Sequence, residues 1–248
     1  MLTAVRIGRR AALALLAGGG VALAAAPASA QLDKILRGLG GTGGLGSGLS
    51  DAKIGEALKE ALQVATETTV KLTGAKDGFY LNQAIKILMP EKLRSLETGL
   101  RAVGYSEKID AFVLSMNRAA ERASTPAKSI FFDAIGAMTF DDGRKILNGG
   151  DHAATDYFKG KTTDKLTALF LPVVNKAMNE VDVTRQYKEL VGRFQQLPFA
   201  RVESLDLDRY VTGKGLDGLF HVLADQEKQI RTNPAARATD LLKQVFGR

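Results

Sequence analysis

The chain has 248 residues, 45% of them hydrophobic, with 34 basic and 27 acidic side chains that give a formal charge of +7, and it contains no cysteine. That length buries a full core as one domain or two lobes. The lack of cysteine excludes disulfides, thiolate metal sites, a cysteine nucleophile and a lipid-modified N-terminal cysteine.

Residues 1–30 read as a secretory leader. Arg6, Arg9 and Arg10 form a basic start, Ala11 to Ala26 an apolar run, and Pro27-Ala28-Ser29-Ala30 the small-x-small pattern of a cleavage site. The run is too rich in Ala and Gly for a membrane span, which needs about 20 strongly apolar residues. Arg9-Arg10 also fits a twin-arginine route, but the ordinary secretory route is favoured. The expected location is periplasmic or secreted, and the mature chain is not membrane-spanning. Three of the 34 basic residues and no acid lie in this leader, so the balance beyond it falls to +4. That is an ordinary solvated surface, and no nucleic acid partner follows from it. Residues 31–49 are dominated by glycine and read as a flexible tether.

Residues 50–248 carry helical periodicity throughout. Ser50 is a cap for Ile54, Ala57, Leu58, Ala61, Leu62, Ala65 and Leu72, with Gly74 as the stop. Residues 75–90 are irregular, and Pro90 disfavours helical geometry at Met89. Pro90 then opens a helix with Leu93, Leu96, Leu100 and Val103 on one face, ending at Gly104. Ser106 caps the next, whose stripe is Ile109, Phe112, Val113, Met116 and Ala120. Thr125-Pro126 restarts a helix carrying Ile130, Phe131, Ala134, Ile135 and Met138; the adjacent Phe131 and Phe132 face different directions.

Thr139 followed by Asp142 echoes a capping box, and that helix stops at Asn148-Gly149-Gly150. Asp151 is the expected cap of a short run through Tyr157 and Phe158, closed by Gly160. Thr163 opens a longer helix with Leu166, Leu169, Phe170, Val173, Ala177 and Met178, in which Pro172 predicts a kink or split. Asp182 starts another with Val183, Tyr187, Leu190, Val191 and Phe194. Asp206 starts one with Leu207, Tyr210, Val211, Leu219, Phe220, Leu223 and Ile230. Asn233-Pro234 signals a last one. The fold class is all-α, a single multi-helix domain of eight to ten helices with little or no strand.

The stretch Met138–Thr163 concentrates the candidate functional residues: Asp141, Asp142, Asn148, Asp151, His152, Asp156 and Tyr157. Asp142, Asp151 and Asp156 are hard oxygen ligands that a Gly149-Gly150 turn would bring towards one divalent cation, the basis of a metal-assisted hydrolase reading. Each also has a plainer duty: acids in a first turn favour the helix dipole, and Asp is a cap. The spacing is not that of a calcium loop. No metal and no cofactor are assigned, and no catalytic residue is named. His221 lies between Phe220 and Val222 and is expected to be partly buried. No Gly-x-Ser-x-Gly occurs. Gly213-Lys214-Gly215-Leu216-Asp217-Gly218 matches a dinucleotide fingerprint but lacks the strand and βαβ context that the chemistry requires; close helix approach is the better reading. The aromatic residues sit mostly on apolar stripes, as a core or as the lining of an apolar cavity. Lys159, Lys161 and Lys165 form a solvated edge or an anionic-surface contact.

Three separated segments, LKEALQVATETTV, MTFDDGRKILNGGDHAATDYFKGKTT and YVTGKGLDGLFHVLADQEKQIRTNPAARATDLLKQVFG, occur in order, and on them the chain resembles a bacterial exported family, domain-of-unknown-function family 4197. The resemblance implies a single exported helical domain and no particular activity. Gly213 and Gly215 depart from the bulkier residues of similar sequences, and a lipoprotein description does not carry over without a cysteine. Function is expected to be binding without catalysis: an envelope-associated interaction module with an envelope protein as partner, or alternatively a carrier of a small apolar or amphiphilic ligand.

Overall fold

The computed structural model describes residues 51–182, 184, 185, 187 and 206–233. The chain divides into two units, Met1–Gly48 and Leu49–Arg248, and the described residues all belong to the second. The leader, the glycine-rich tether, the Ser50 cap, most of the helix expected from Asp182, and the helix expected after Asn233 lie outside them.

Among the described residues the protein is all-α. Its helices are α1 (Asp51–Gly74), α2 (Arg94–Ala102), α3 (Ser106–Ser124), α4 (Ala127–Gly136), α5 (Phe140–Asn148), α6 (Ala153–Asn179) and α7 (Leu207–Thr232), with a 3₁₀ turn at Glu91–Leu93 before α2. Seven α-helices are described against the eight to ten expected, because the short run expected from Asp151 and the longer helix expected from Thr163 merge into α6 and others fall outside the described residues.

Helices α1, α3, α6 and α7 pack on one another, α4 and α5 lie against α1 and α6, and α2 rests on α3. The inward stripe of α3 is as its spacing requires: Ile109, Phe112, Val113, Met116 and Ala120 are all buried. Phe131 of α4 meets Phe158 of α6 and Phe220 of α7 edge-on, at centroid distances of 5.3 and 6.1 Å. This arrangement sets ring edges against ring faces and gains beyond area burial. Phe132 takes the other direction, half-buried against the outside of the core beneath Lys128.

Several local expectations give way to tertiary contacts. Ser106 is the first helical residue of α3, not its cap; Tyr105 holds the cap position without a side-chain bond. Val103 turns to solvent at 68% exposure, because α2 ends at Ala102 before its stripe can reach it. Asp151 does not cap α6; His152 stands at that position, again without a side-chain bond. Neither Gly160 nor Pro172 interrupts α6, which runs for 27 residues. A helix-interior glycine costs only about 1 kcal/mol, and the burial of Phe158, Thr162, Leu166 and Phe170 on one face outweighs it.

Between α1 and α2 the chain is not helical. Residues 75–90 run as a strap that buries Phe79, Ile85, Ile87 and Met89 while leaving Leu81 and Leu88 exposed. The strap begins in a turn where Asp77 adopts a left-handed backbone with φ of 68°. It lies close to α7 because residue 218 is glycine: a Cβ there would stand 2.5 Å from a Phe79 ring carbon and 3.1 Å from the Ile85 Cβ. The Gly213-to-Gly218 run is helical throughout, so it offers no phosphate-binding loop; Gly218 instead permits a close approach, by the strap rather than by another helix.

Candidate functional site: the 75–90 strap and its clefts

The acids of the central stretch are placed singly. Asp142 forms the expected capping box: its N–H donates to the Thr139 hydroxyl at 3.1 Å, and its carboxylate accepts the Thr139 hydroxyl at 2.7 Å and the Thr139 N–H at 3.1 Å. Those bonds, the hydroxyl first, hold its carboxyl below the usual range, and the charges of Lys161 and Lys145 act in the same direction. Asp141, Asn148, Asp151, His152 and Asp156 are exposed. Tyr157 is half-buried and donates to the Ala134 carbonyl at 3.3 Å; burial, and then the Asp142 charge, push its phenol up. Among the described residues no three His, Cys, Asp or Glu side chains are grouped to hold a metal ion. The stretch is a capped, tightly turned helix pair. A Cβ at Gly149 would fall 2.5 Å from that of Ala153, which is why the turn needs glycine. His221 is exposed rather than partly buried, facing Asp225 at 3.6 Å. Its apolar neighbours point elsewhere, since successive helical residues do not share a face.

The buried polar side chains that hold the strap lie elsewhere, on α3. On α3, Asn117 is fully buried. Its Oδ1 accepts the Ile87 N–H at 2.9 Å, and its amide donates to the Ile87 carbonyl and to the Val113 carbonyl, both at 2.8 Å. One side chain thus replaces the partner strand that Ile87 lacks. One turn further on, Glu121 accepts the N–H groups of Phe79 and Tyr80 at 3.1 and 3.2 Å. Arg118 bridges Glu121 and Asp77, at 2.6 Å to each. Desolvation opposes the charge on Arg118, but its bonds to Glu121 and then Asp77 outweigh it and raise its pKa. The readable signal was the i, i+4, i+8 series Val113, Asn117, Glu121 on the apolar face of α3: a buried amide and a buried carboxylate need partners.

Fastened in this way, the strap separates two open clefts. One, of about 640 Å³, lies between the strap and α7 and includes Lys86, Leu88, Met89, Arg94, Tyr210 and Lys214 in its lining. The other, of about 500 Å³, lies towards α2 and α3 and shares Lys86, Leu88, Met89 and Arg94 with the first. Tyr210 ties the strap to α7 by donating to the Leu88 carbonyl at 3.0 Å; burial, its largest influence, pushes its phenol up. Lys86 lies over the Tyr80 ring at 4.2 Å. Inside the bundle, the apolar cavity between α1 and α7, lined by Leu58, Leu62, Leu223 and Ile230, holds about 20 Å³, the space of one water molecule.

No helix among the described residues is long and apolar enough to cross a membrane. A family model described as "Protein of unknown function (DUF4197)" matches residues 48–247. No curated protein and no solved structure matches the chain.

Proposed function

The chain belongs to the DUF4197 family, whose function is unknown, and we propose that it is an exported binding module without catalysis, presenting its strap to a partner protein of the cell envelope. The leader pattern of residues 1–30 supports the periplasmic or secreted setting. One observation carries the binding reading. Leu81 and Leu88 stand 65% and 53% exposed on a non-helical segment that buried Asn117 and Glu121 hold in place. Binding residues concentrate on loops that a rigid scaffold positions, and fixing the segment in advance lowers the entropy a partner must overcome. The alternatives have less support. A chamber of about 20 Å³ leaves a carried ligand no room between α1 and α7. Asp142, the central acid of the hydrolase reading, is engaged by Thr139.

The test is the double variant Leu81→Asp/Leu88→Asp. Both side chains are exposed, so the fold and its circular dichroism should be unchanged. Burying one leucine contributes about 1.5–3 kcal/mol, so affinity for a partner captured by the parent protein, identified and then purified, should fall about tenfold or more. Equal affinity of parent and variant would remove the strap from the interface.

A further inference from the structure

The cleft between the strap and α7 has a chemistry of its own. Tyr210, Lys214, Asp217 and His221 line it from one face of α7, spaced at successive turns. Lys86, Leu88, Met89, Glu91 and Arg94 line it from the opposite side. Its cations are incompletely engaged. Arg94 meets Glu91 at 3.6 Å and Lys214 meets Asp217 at 3.7 Å, both beyond hydrogen-bonding distance. Lys86 rests on the Tyr80 ring and has no carboxylate partner among the described residues. Lys86, Arg94 and Lys214 face two carboxylates, Glu91 and Asp217, so these five side chains sum to a single positive charge. That suits a monoanionic head better than a doubly charged phosphate. Ile85, Leu88 and Met89 supply an apolar wall beside these groups, and a volume of about 640 Å³ falls within the range of small-molecule sites.

We propose that this cleft is a binding site for a small organic carboxylate with a short apolar chain. Arg94 receives the carboxylate through its planar fork, Lys86 and Lys214 add charge from either side, and Leu88 and Met89 cover the chain. The site is defined by its cations; of the two exposed leucines it shares only Leu88 with the surface proposed for a protein partner.

The test is a titration of the purified, isotope-labelled protein with hexanoate, followed by amide chemical shifts. Acetate supplies the head without the chain, and hexanol the chain without the charge. Saturable shifts should appear in residues 84–94 and 210–221, with acetate and hexanol each binding about tenfold or more weakly. The exposed double variant Arg94→Gln/Lys214→Gln should keep its fold and lose about tenfold or more in hexanoate affinity. An absence of saturable shifts, shifts centred elsewhere, hexanol binding as tightly as hexanoate, or an unchanged double variant would each overturn the proposal. Partner capture is unaffected by these outcomes, so failure here leaves the protein-binding reading to its own test.

Discussion

Glu227 holds Thr155 twice: one carboxylate oxygen accepts both the Thr155 backbone N–H and the Thr155 hydroxyl, each at 2.9 Å. Its other oxygen accepts the Ala154 N–H at 2.9 Å and two donors of Arg231. Arg231 in turn donates to the Ile146 carbonyl at 2.8 Å, near the end of α5. A carboxylate from α7 therefore caps α6, the longest described helix, whose own cap position contributes no side-chain bond. Negative charge at a helix N-terminus is favourable, and here it is buried and paired.

Replacing Glu227 with Leu should cost about 3–5 kcal/mol, because the change takes the buried carboxylate away from Arg231 and leaves two helix-terminal N–H groups without their acceptor. Glu227→Gln, which keeps one acceptor oxygen, should cost about 2 kcal/mol. Urea unfolding reads both values. A loss under about 0.5 kcal/mol for the Leu variant, the level of an ordinary surface change, would mean that the cap is not a structural support.

Asn117→Leu should release the strap before it unfolds the bundle. The substitution leaves the buried N–H and carbonyl of Ile87 without partners, at about 1–3 kcal/mol for each unsatisfied group. Amide exchange of residues 79–89 should accelerate while the α6 and α7 amides keep their protection. Uniform acceleration across all helices would show that strap and bundle open together.

Two glycines on one helix should respond in opposite directions. Gly213 has open space around it, so Gly213→Ala should stabilise the protein by about 1 kcal/mol through helix propensity alone. Gly218→Ala would drive a methyl group into Phe79 and Ile85. The resulting overpacking of about 1–3 kcal/mol should exceed the propensity gain, making the variant less stable. Thermal denaturation separates the two signs.

Asp142 gives the fold an acid-side dependence. Its carboxyl lies below the usual range in the folded chain, chiefly through the Thr139 hydroxyl, so the unfolded chain takes up the proton at a higher pH than the folded one does. The stabilisation is fully present above the ordinary carboxylate range and is lost as pH falls through the lower folded value. Asp142→Asn should flatten that part of the stability profile by lowering stability at neutral pH while leaving strongly acidic pH little affected. An unchanged acid limb in the variant would assign the dependence to other carboxylates.

What could be read from the sequence was what depends on near neighbours. The stripe Phe112, Val113, Met116 appears as expected, as do the Thr139–Asp142 box, the stop at Gly74 and a helix start at Asp206, because each is decided within about one helical turn. The start of α6 was not legible. Asp151 has the chemistry of a cap, but Glu227, more than 70 residues away, supplies the acceptor and fixes the helix to begin one residue later, after His152. The strap was legible only as irregular sequence. Its anchors Asn117 and Glu121 lie 30 and 42 residues beyond Ile87 and Phe79, and neither local spacing nor propensity couples them. Attention to the central acids followed from their density, yet density is also what capped, solvated helix ends produce.

Site-specific photo-crosslinking in the native cell tests whether a partner meets the strap. A photoreactive side chain at Leu88 should give one discrete crosslinked product, while the same group at exposed Lys165 on α6 gives none. A product from Lys165 with none from Leu88, or equal products from both, would contradict it.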